Sequence, residues 1–469
     1  MLTALGFAAI IAILLLLITS RVAAVAALIG VPVVAALLAG SSPTEIGEMI
    51  SAGIDDIVGV VAMFVFAILF FGVLRDAGMF DPIVRRVLQY AGSNPVTIAV
   101  GTALLALVCH LDGAGATTFV ITLSALLPLY DAMGMSRLVL ATVTGLAAGA
   151  VNMVPWSGPT ARASSVVNVE ANALWTPLLP AQLTGVAAVL GVAAWLGRRE
   201  RRRLAASAES PPRLTRGDRL RAATASDTAA DPAVIGADDG AGPARDESAA
   251  MTVSSDVRLI RPRLFWVNLV LAAVTVGTLI SGIAQPAAVF MVALVLALVV
   301  NYPGMRRQNA RIDAHAQSAV LMATTLLAAG AFLGIMEETG MIRAMATALA
   351  EGVPPQLGPL LPLLVGVFAV PMSFLFGPDP YYFGVLPVLI GVGEQFGVAP
   401  QDLAQASILG EETLGFPLTP MTGSFFLLVG LARVDIGRHI RHMAPWAWGI
   451  SLLTLVVAVA TGVVPVWAG

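Results

Sequence analysis

Hydrophobic residues along this chain come in long, nearly uncharged blocks separated by short polar segments. A helix needs about 20 mostly apolar residues to cross a bilayer, and many of the blocks approach or reach that length. The pattern therefore predicts an all-α polytopic membrane protein. The candidate spans cover about 2–19, 22–40, 56–75, 138–165, 178–197, 264–282, 285–301, 316–336, 402–431 and 444–465.

Two further apolar stretches, about 96–129 and 358–392, are interrupted by glycine and proline near their centres. Backbone without helical hydrogen bonds is tolerated at membrane depth only where protein covers it or where it lines a cavity. We therefore expect both stretches to form re-entrant helical hairpins. Each half of the chain then contains five spans and one hairpin.

The two halves repeat one pattern. GVLRDAGM begins at Gly72 and GIMEETGM begins at Gly334, an offset of 334 − 72 = 262 residues. Near the same offset, PWSGPT at Pro155 is matched by PLTPMT at Pro417. Because five is odd, the second half enters the membrane inverted. The prediction is two inverted repeats, each with a hairpin and an unwound helix, which is typical of secondary transporters with a midplane site.

The segment 198–262 differs from the rest of the chain. It opens with RRERRRL and continues with Ala, Ser, Asp, Pro and Gly, so it cannot bury a core and is predicted to be a disordered linker between membrane repeats 1–197 and 263–469. Short cytoplasmic loops collect arginine. The linker and most arginines fall on one side, which predicts a cytoplasmic linker and external termini; Arg162 and Arg343 fall elsewhere.

Composition supports a multi-pass protein of the cell membrane, whose partners are lipid and a small molecule rather than nucleic acid. Hydrophobic residues make up 58% and charged residues 12%, against about 25% charged in soluble domains. The chain has no Walker A motif, no HExxH spacing and no evident nucleophile–base pair, so we expect neither an ATP-driven pump nor an enzyme, and no tightly bound cofactor.

The break in the first hairpin carries polar groups at bilayer depth, where an ionisable side chain costs several kcal/mol unless it is paired or hydrated. Glycines there let a ligand approach the backbone, and hydroxyls can bind a carboxylate or a hydrated cation. The other interpretation is that Asp112 only caps a short helix. This break holds His110, Asp112, Gly113, Thr117 and Thr118, and we favour a functional role for it.

A second break lies in the span 138–165. Pro155 and Pro159 cannot both sit in a continuous helix, so the helix should unwind and expose backbone N–H and C=O groups. Arg162 either pairs with a substrate carboxylate or reaches toward the interface. Asn152, Ser157 and Thr160 add polar side chains near Arg162, and we expect this break to serve function rather than to be a packing kink.

The second half has its own breaks. Asp379 lies between two prolines in a turn, either at a hairpin tip or at the membrane surface. Glu411 and Glu412 are adjacent in an apolar span, where two carboxylates cannot both stay charged cheaply, so they are candidate coupling groups; the alternative is that the helix begins later and both are hydrated. Thr419 and Thr422, in the PLTPMT segment that repeats PWSGPT, are further predicted substrate contacts.

Several of these segments resemble the citrate–divalent metal:proton symporter family (CitMHS) of the ion transporter superfamily. They are CHLDGAGATTFVIT, LPLYDAMGM, NMVPWSGPTARA, DPYYFGVLPVL and GSFFLLVGL, and the resemblance extends over nearly all the chain outside 198–262. It implies citrate uptake as a metal complex with proton symport, a two-hairpin fold and a homodimer. By match to its motifs, it also implies a substrate site lined by Asp112, Gly113, Thr117 and Thr118, with Asn152, Ser157, Gly158, Pro159 and Thr160 beside them and Asp379 and Tyr381 from the second half. Two positions depart from the family pattern: Gly377-Pro378 replaces a more usual Ser/Asn-type tip, and Glu411-Glu412-Thr413 is more acidic than expected.

Charge favours the metal complex. Citrate carries about three negative charges at pH 7, and Arg162 alone cannot neutralise them. A divalent cation such as Mg²⁺ or Ca²⁺, transported with the substrate, lowers the charge to about minus one, and Asp112 and Asp379 are predicted to contact this metal. The alternatives are a carrier of a dicarboxylate, gluconate or lactate coupled to H⁺ or Na⁺, and, from another class, an ion channel or a cation/proton antiporter.

Overall fold

A computed structural model describes residues 1–18, 22–206 and 259–467. Within these ranges the regular structure is entirely helical, and seven helices are long and apolar enough to cross a bilayer. The first half contains α1 (Leu2–Ile18), α2 (Ala24–Ala39), α3 (Pro43–Asp76), α4 (Asp81–Ala91), α5 (Pro95–Cys109), α6 (Gly115–Ala132), α7 (Arg137–Val151), α8 (Gly158–Val167), α9 (Ala171–Trp175) and α10 (Leu179–Ala206). The second half contains α11 (Phe265–Ser281), α12 (Pro286–Asn301), α13 (Met305–Glu338), α14 (Met341–Ala350), α15 (Leu361–Met372), α16 (Leu386–Glu394), α17 (Pro400–Ile408), α18 (Gly423–Ala432) and α19 (Ile436–Ala460).

Helix order repeats between the two halves. The long helix α13 begins 305 − 43 = 262 residues after α3 and ends 338 − 76 = 262 residues after it, which is the offset of the sequence motifs. Each half then has a short helix, a hairpin, a broken helix and a final long helix in the same order. The repeated pattern of breaks in the sequence is therefore a repeat of structure.

The equivalent helices α3 and α13 pack side by side in opposite directions. Gly53 near the start of α3 lies against Gly330 and Gly334 near the end of α13. At the other end of the pair, Asp76 accepts a hydrogen bond from Arg311, with an Nη1–Oδ2 distance of 2.9 Å. Antiparallel packing of equivalent helices is what inverted repeats require. The predicted fold class, two inverted helical repeats, is confirmed.

Glycine allows the close approach of α3 and α13. A Cβ at Gly53 would overlap the Gly330 carbonyl oxygen, which is backbone and cannot move aside. We expect Gly53→Ala to lower stability by about 1–3 kcal/mol, the usual effect of overpacking. Thermal unfolding of purified protein in detergent measures this. The control is Gly59→Ala in the same helix, where a Cβ meets nothing within 4 Å; equal melting temperatures for both variants would contradict the packing argument.

The first hairpin, residues 95–132, consists of α5 and α6 joined by a tight turn. Asn94 caps α5 by accepting from the Val96 N–H, and a 3-10 turn at His110–Asp112 ends it. Gly113 follows with φ of 73°, a left-handed conformation that favours glycine. We call this segment hairpin 1. It agrees with the hairpin that the sequence predicted at 96–129.

The second hairpin, residues 358–394, has a less regular tip. Its first arm ends with α15 at Met372, and its second arm opens with a π-helical turn at Pro380–Val385 before α16. The prolines at 378 and 380 account for this irregular start, since proline lacks the N–H that a regular helix uses. We call this segment hairpin 2.

Some predicted boundaries differ from the structure. Helix α10 continues to Ala206, nine residues beyond the predicted end of the first repeat, because Glu200 accepts from the Ser136 N–H and Arg203 donates to the Gly134 carbonyl. Residues 207–258 of the predicted linker lie outside the described residues. The linker's last residues, 259–262, are held against the membrane part, because Arg261 donates to the Ala77 and Asn301 carbonyls. Helices α4 and α14 were not predicted, because helices of 11 and 10 residues are too short to give the signal of a span.

Candidate functional site

Two broken helices from opposite halves meet at the centre of the protein. Helix α7 ends at Val151 and α8 begins at Gly158, while α17 ends at Ile408 and α18 begins at Gly423. The Asn152 side-chain amide donates to the Glu412 carbonyl at 2.6 Å, which joins the two unwound segments directly. The predicted breaks are therefore present, and the structure brings them into contact.

Arg162 lies at the junction of these breaks with hairpin 2. Its Nε donates to Asp379 Oδ1 at 2.7 Å, and its Nη1 is 3.2 Å from Glu412 Oε2. The side chain is 4% exposed, so the interpretation that Arg162 reaches toward the interface is wrong. Asp379 is likewise at a hairpin tip that faces the interior rather than in a surface turn. We call Arg162, Asp379 and Glu412 the central ion cluster.

The amino terminus of α8 faces this cluster. Gly158 is its first residue and Pro159 follows in the first turn, where the missing N–H of proline has no helical partner to lose. A Cβ at Gly158 would lie 2.5 Å from Arg162 Nη1 and 3.5 Å from Glu412 Oε1, so glycine leaves room for the guanidinium. A helix amino terminus and an arginine together favour a bound anion.

The two adjacent glutamates face different partners. Glu412 has φ of +53°, a left-handed conformation that turns its carboxylate toward Arg162. The Glu411 carboxylate is buried and accepts from the Ser373 hydroxyl of hairpin 2 at 2.7 Å. The interpretation that both glutamates are hydrated is therefore wrong for Glu411, which is 1% exposed. Their role in coupling stays a prediction.

Most of the predicted hydroxyl contacts are used within the unwound segments. Ser157 and Thr160 donate to backbone carbonyls at 152–154, and Thr422 donates to the Phe416 carbonyl. These bonds satisfy carbonyls that a continuous helix would have paired. In this structure the hydroxyls therefore stabilise the breaks, and their contact with substrate stays a prediction.

Two further predicted contacts also have partners inside the protein. Thr419 accepts from the Met421 N–H at 3.2 Å. The Tyr381 hydroxyl is hydrogen-bonded to Ser407 at 2.8 Å and lies against α17. Both side chains help to hold the second break and hairpin 2 in place.

At the tip of hairpin 1, the histidine ring occupies the space between the arms and the first break. His110 Nδ1 is 2.9 Å from Thr118 Oγ1, and His110 Nε2 is 3.1 Å from Asn152 Oδ1. Thr118 is thus fully buried inside the hairpin. Gly113 lies against the Trp156 carbonyl, where a Cβ would come within 3.2 Å, so the tip packs tightly on the first break.

The other predicted residues of hairpin 1 face Arg75, at the end of α3. Asp112 Oδ1 accepts from the Ala114 N–H at 2.8 Å within the turn, and its Oδ2 is 3.6 Å from Arg75 Nη1. Helix α6 has no side-chain cap at Ala114, so Asp112 does not cap it, and its contact with substrate stays a prediction. Arg75 also donates to Thr117 at 2.9 Å. Asp112 and Asp379 therefore have different arginine partners, which the prediction of a shared metal contact did not anticipate.

Sequence reasoning missed three residues that shape this region: Arg75, His315 and Ser373. Arg75 is one of the arginines that the sequence analysis used only to assign the cytoplasmic side. A signal was available, because Arg75 and Asp76 lie inside the repeated motif, and the equivalent positions in the second half are also charged, as Glu337 and Glu338. Ser373 gave no such signal.

The chain is similar to known transporters over most of its length. A family model described as Citrate transporter matches residues 4–410. Two proteins of Bacillus subtilis (strain 168) align over 99% of this chain and 100% of their own length: one named "Citrate transporter", 37% identical, and one named "Mg(2+)/citrate complex secondary transporter", 34% identical. The fold is similar to the crystal structure of the YdaH transporter of Alcanivorax borkumensis, with a TM-score of 0.55, 14% identity and 90% of each chain covered.

Proposed function

The chain belongs to the citrate transporter family, and on that premise we propose that it is a secondary active transporter that takes up citrate as a divalent-metal complex together with a proton. The observation that carries the proposal is the central ion cluster, in which one arginine of the first half bridges two carboxylates of the second half. The printed names of two relatives, a citrate transporter and a Mg(2+)/citrate complex transporter, support the substrate.

Charge in the cluster explains why citrate would need a metal. Arg162 contributes one positive charge and Asp379 and Glu412 one negative charge each, so the cluster carries +1 − 2 = −1. Free citrate would add about three negative charges to a poorly hydrated site. A complex with Mg²⁺ or Ca²⁺ adds about one. Protonation of one carboxylate would then restore the original charge, which links proton entry to substrate entry.

The groups present also match the chemistry of such a complex. Carboxylate oxygens are preferred ligands of Mg²⁺ and Ca²⁺, and the planar guanidinium suits a carboxylate. On binding, the substrate's free carboxylate would compete for Arg162 while its metal would compete for Asp379 and Glu412. Each charged group would exchange one partner for another, so no buried charge is left uncompensated.

Glu411 is the group best placed to carry the proton. It is buried next to Glu412 in sequence, and its carboxyl has a neutral hydroxyl as partner. Burial favours the neutral form of a carboxyl group unless a cation lies close to it. Glu412, which faces Arg162, is better suited to contact the substrate complex.

Substrate selectivity in proteoliposomes tests the proposal. Purified protein should take up labelled citrate with saturation in the presence of Mg²⁺ or Ca²⁺, and an excess of unlabelled metal–citrate should compete. Competition by a dicarboxylate, gluconate or lactate without any metal would favour the alternative organic-anion carrier. Flux that does not saturate would favour a channel, and proton movement without citrate would favour an antiporter.

Two features of this proposal extend beyond the transport site. We also propose that the protein is a homodimer, as the family resemblance implies. We further propose that the linker is cytoplasmic, as the arginine distribution predicts. Crosslinking of purified protein and protease access from either side of the membrane address these two points separately.

A further inference from the structure

We propose that Arg75 is a positioning residue that holds hairpin 1 closed, and that its contact with the hairpin must break for the hairpin tip to open. We call Arg75, Asp112, Thr117 and His315 the Arg75 latch. This inference goes beyond the proposed function and does not depend on the identity of the substrate. It rests on contacts between the α3–α13 pair and the tip of hairpin 1.

Arg75 reaches from the last turn of α3 to both sides of the hairpin tip. Its Nη1 donates to Thr117 Oγ1 at 2.9 Å and lies 3.6 Å from Asp112 Oδ2. Thr117 is in the first turn of α6, and Asp112 ends the turn that follows α5. One guanidinium therefore ties the two arms of hairpin 1 to a long helix outside the hairpin.

Arg75 is held in this orientation by α13. Arg75 Nη2 is 3.3 Å from His315 Nδ1, and His315 Nε2 is 2.9 Å from Asp76 Oδ2. Because a guanidinium can only donate, His315 accepts at Nδ1 and donates from Nε2 to Asp76. The His315 ring packs on Gly72, where a Cβ would come within 2.6 Å of it, so the ring lies flat against α3.

The contact between Arg75 and Asp112 matters because the Asp112 carboxylate is buried. Asp112 is 4% exposed at the side chain, and within the described part of the chain its Oδ2 has no hydrogen-bond partner. The charge of Arg75 at 3.6 Å is thus the compensation for this oxygen. Without Arg75, the buried carboxylate would be left unpaired, which is strongly unfavourable, and hydration of Asp112 would require the tip to move.

An arginine from outside the hairpin also contacts the tip of hairpin 2. Thr117 lies in the first turn of α6, and Asp379 lies directly before the π-helical turn that opens the second arm of hairpin 2. Arg75 contacts the first and Arg162 the second. Each hairpin therefore has one arginine from outside it bound near its tip, Arg75 from the end of α3 and Arg162 from α8. Release of Arg75 would free the tip of hairpin 1, and release of Arg162 would free the tip of hairpin 2.

Cys109 provides a built-in reporter for the test. It is the single cysteine of the chain, it is fully buried, and it ends α5 immediately before the tip of hairpin 1. We measure its rate of reaction with a small maleimide in the full-length protein without substrate. Arg75→Gln should raise the rate at least tenfold, Arg75→Lys should keep it near wild type, and the matched control Arg86→Gln on the exposed face of α4 should not change it.

Two further variants separate a latch from a general structural role. Neutralising Asp112 as well, in Arg75→Gln/Asp112→Asn, should return the rate toward wild type because no unpaired carboxylate remains. A Cys109→Ala/Ala193→Cys reporter, buried in α10, should stay unreactive when Arg75→Gln is added. Wild-type reactivity of Cys109 in Arg75→Gln, or equal acceleration at residue 193, would overturn the latch. Since no substrate is used, these outcomes are independent of whether the protein carries citrate.

Discussion

Replacing Arg162 by glutamine is expected to reduce citrate uptake by roughly 100-fold or more in protein that still inserts into the membrane. The side chain bridges Asp379 and Glu412 and is 4% exposed. Removal of one partner from a buried ion pair leaves charges uncompensated and costs about 3–5 kcal/mol. If the lower value is lost from the transport-competent conformation, 1.4 kcal/mol per factor of ten gives a fall of about 100-fold in uptake.

Two comparison variants make the Arg162 experiment specific. Arg162→Lys keeps the charge but lacks the planar fork that reaches two carboxylates, so its uptake should be intermediate. Arg441→Gln is the matched control, because Arg441 is exposed and donates to a carbonyl of its own helix. Uptake by Arg162→Gln at the level of Arg441→Gln, at equal amounts of inserted protein, would show that the central ion cluster does not serve transport.

The second large effect is expected at Glu411. Glutamine resembles a protonated glutamate, so Glu411→Gln should behave as a carrier that always holds its proton. It should still exchange external for internal citrate, but it should lose accumulation driven by a pH gradient. Glu412→Gln should impair both processes, because Glu412 contacts Arg162 within the central ion cluster.

Counterflow and pH-driven uptake, measured side by side, check this division between the glutamates. Glu170→Gln is a suitable control, since Glu170 is exposed at the start of α9. If Glu411→Gln keeps full gradient-driven accumulation, Glu411 is a structural acid that only pairs with Ser373. Coupling would then lie elsewhere, with Asp112 the next candidate.

Much of the fold could be predicted from the sequence because breaks in membrane helices have a clear chemical signature. Pro155 and Pro159 in one apolar block cannot be helical throughout, and the structure unwinds the chain there. The 262-residue offset gave the repeat, and an odd number of spans gave its inversion. These inferences rest on local backbone chemistry and on the number of spans, so they do not require knowledge of tertiary contacts.

Pairing within the site could not be predicted in the same way. Arg162 and Asp379 are 217 residues apart, and only packing of the two halves brings them together. The opposite directions of Glu411 and Glu412 depend on a left-handed φ at Glu412, which an ordinary side chain does not signal in sequence. Arg75 shows a related limit, because an arginine at the end of a span indicates sidedness as readily as it indicates a buried contact.

The most direct test of the central claim is simultaneous entry of citrate and metal into proteoliposomes. Labelled citrate and a trapped Mg²⁺-sensitive dye report the two solutes, with an inward proton gradient imposed. We predict that citrate and Mg²⁺ enter together, that each needs the other, that entry rises with the proton gradient, and that Arg162→Gln abolishes both signals. Entry of citrate at the same rate with and without a metal chelator, and with no change in the dye signal, would contradict the account.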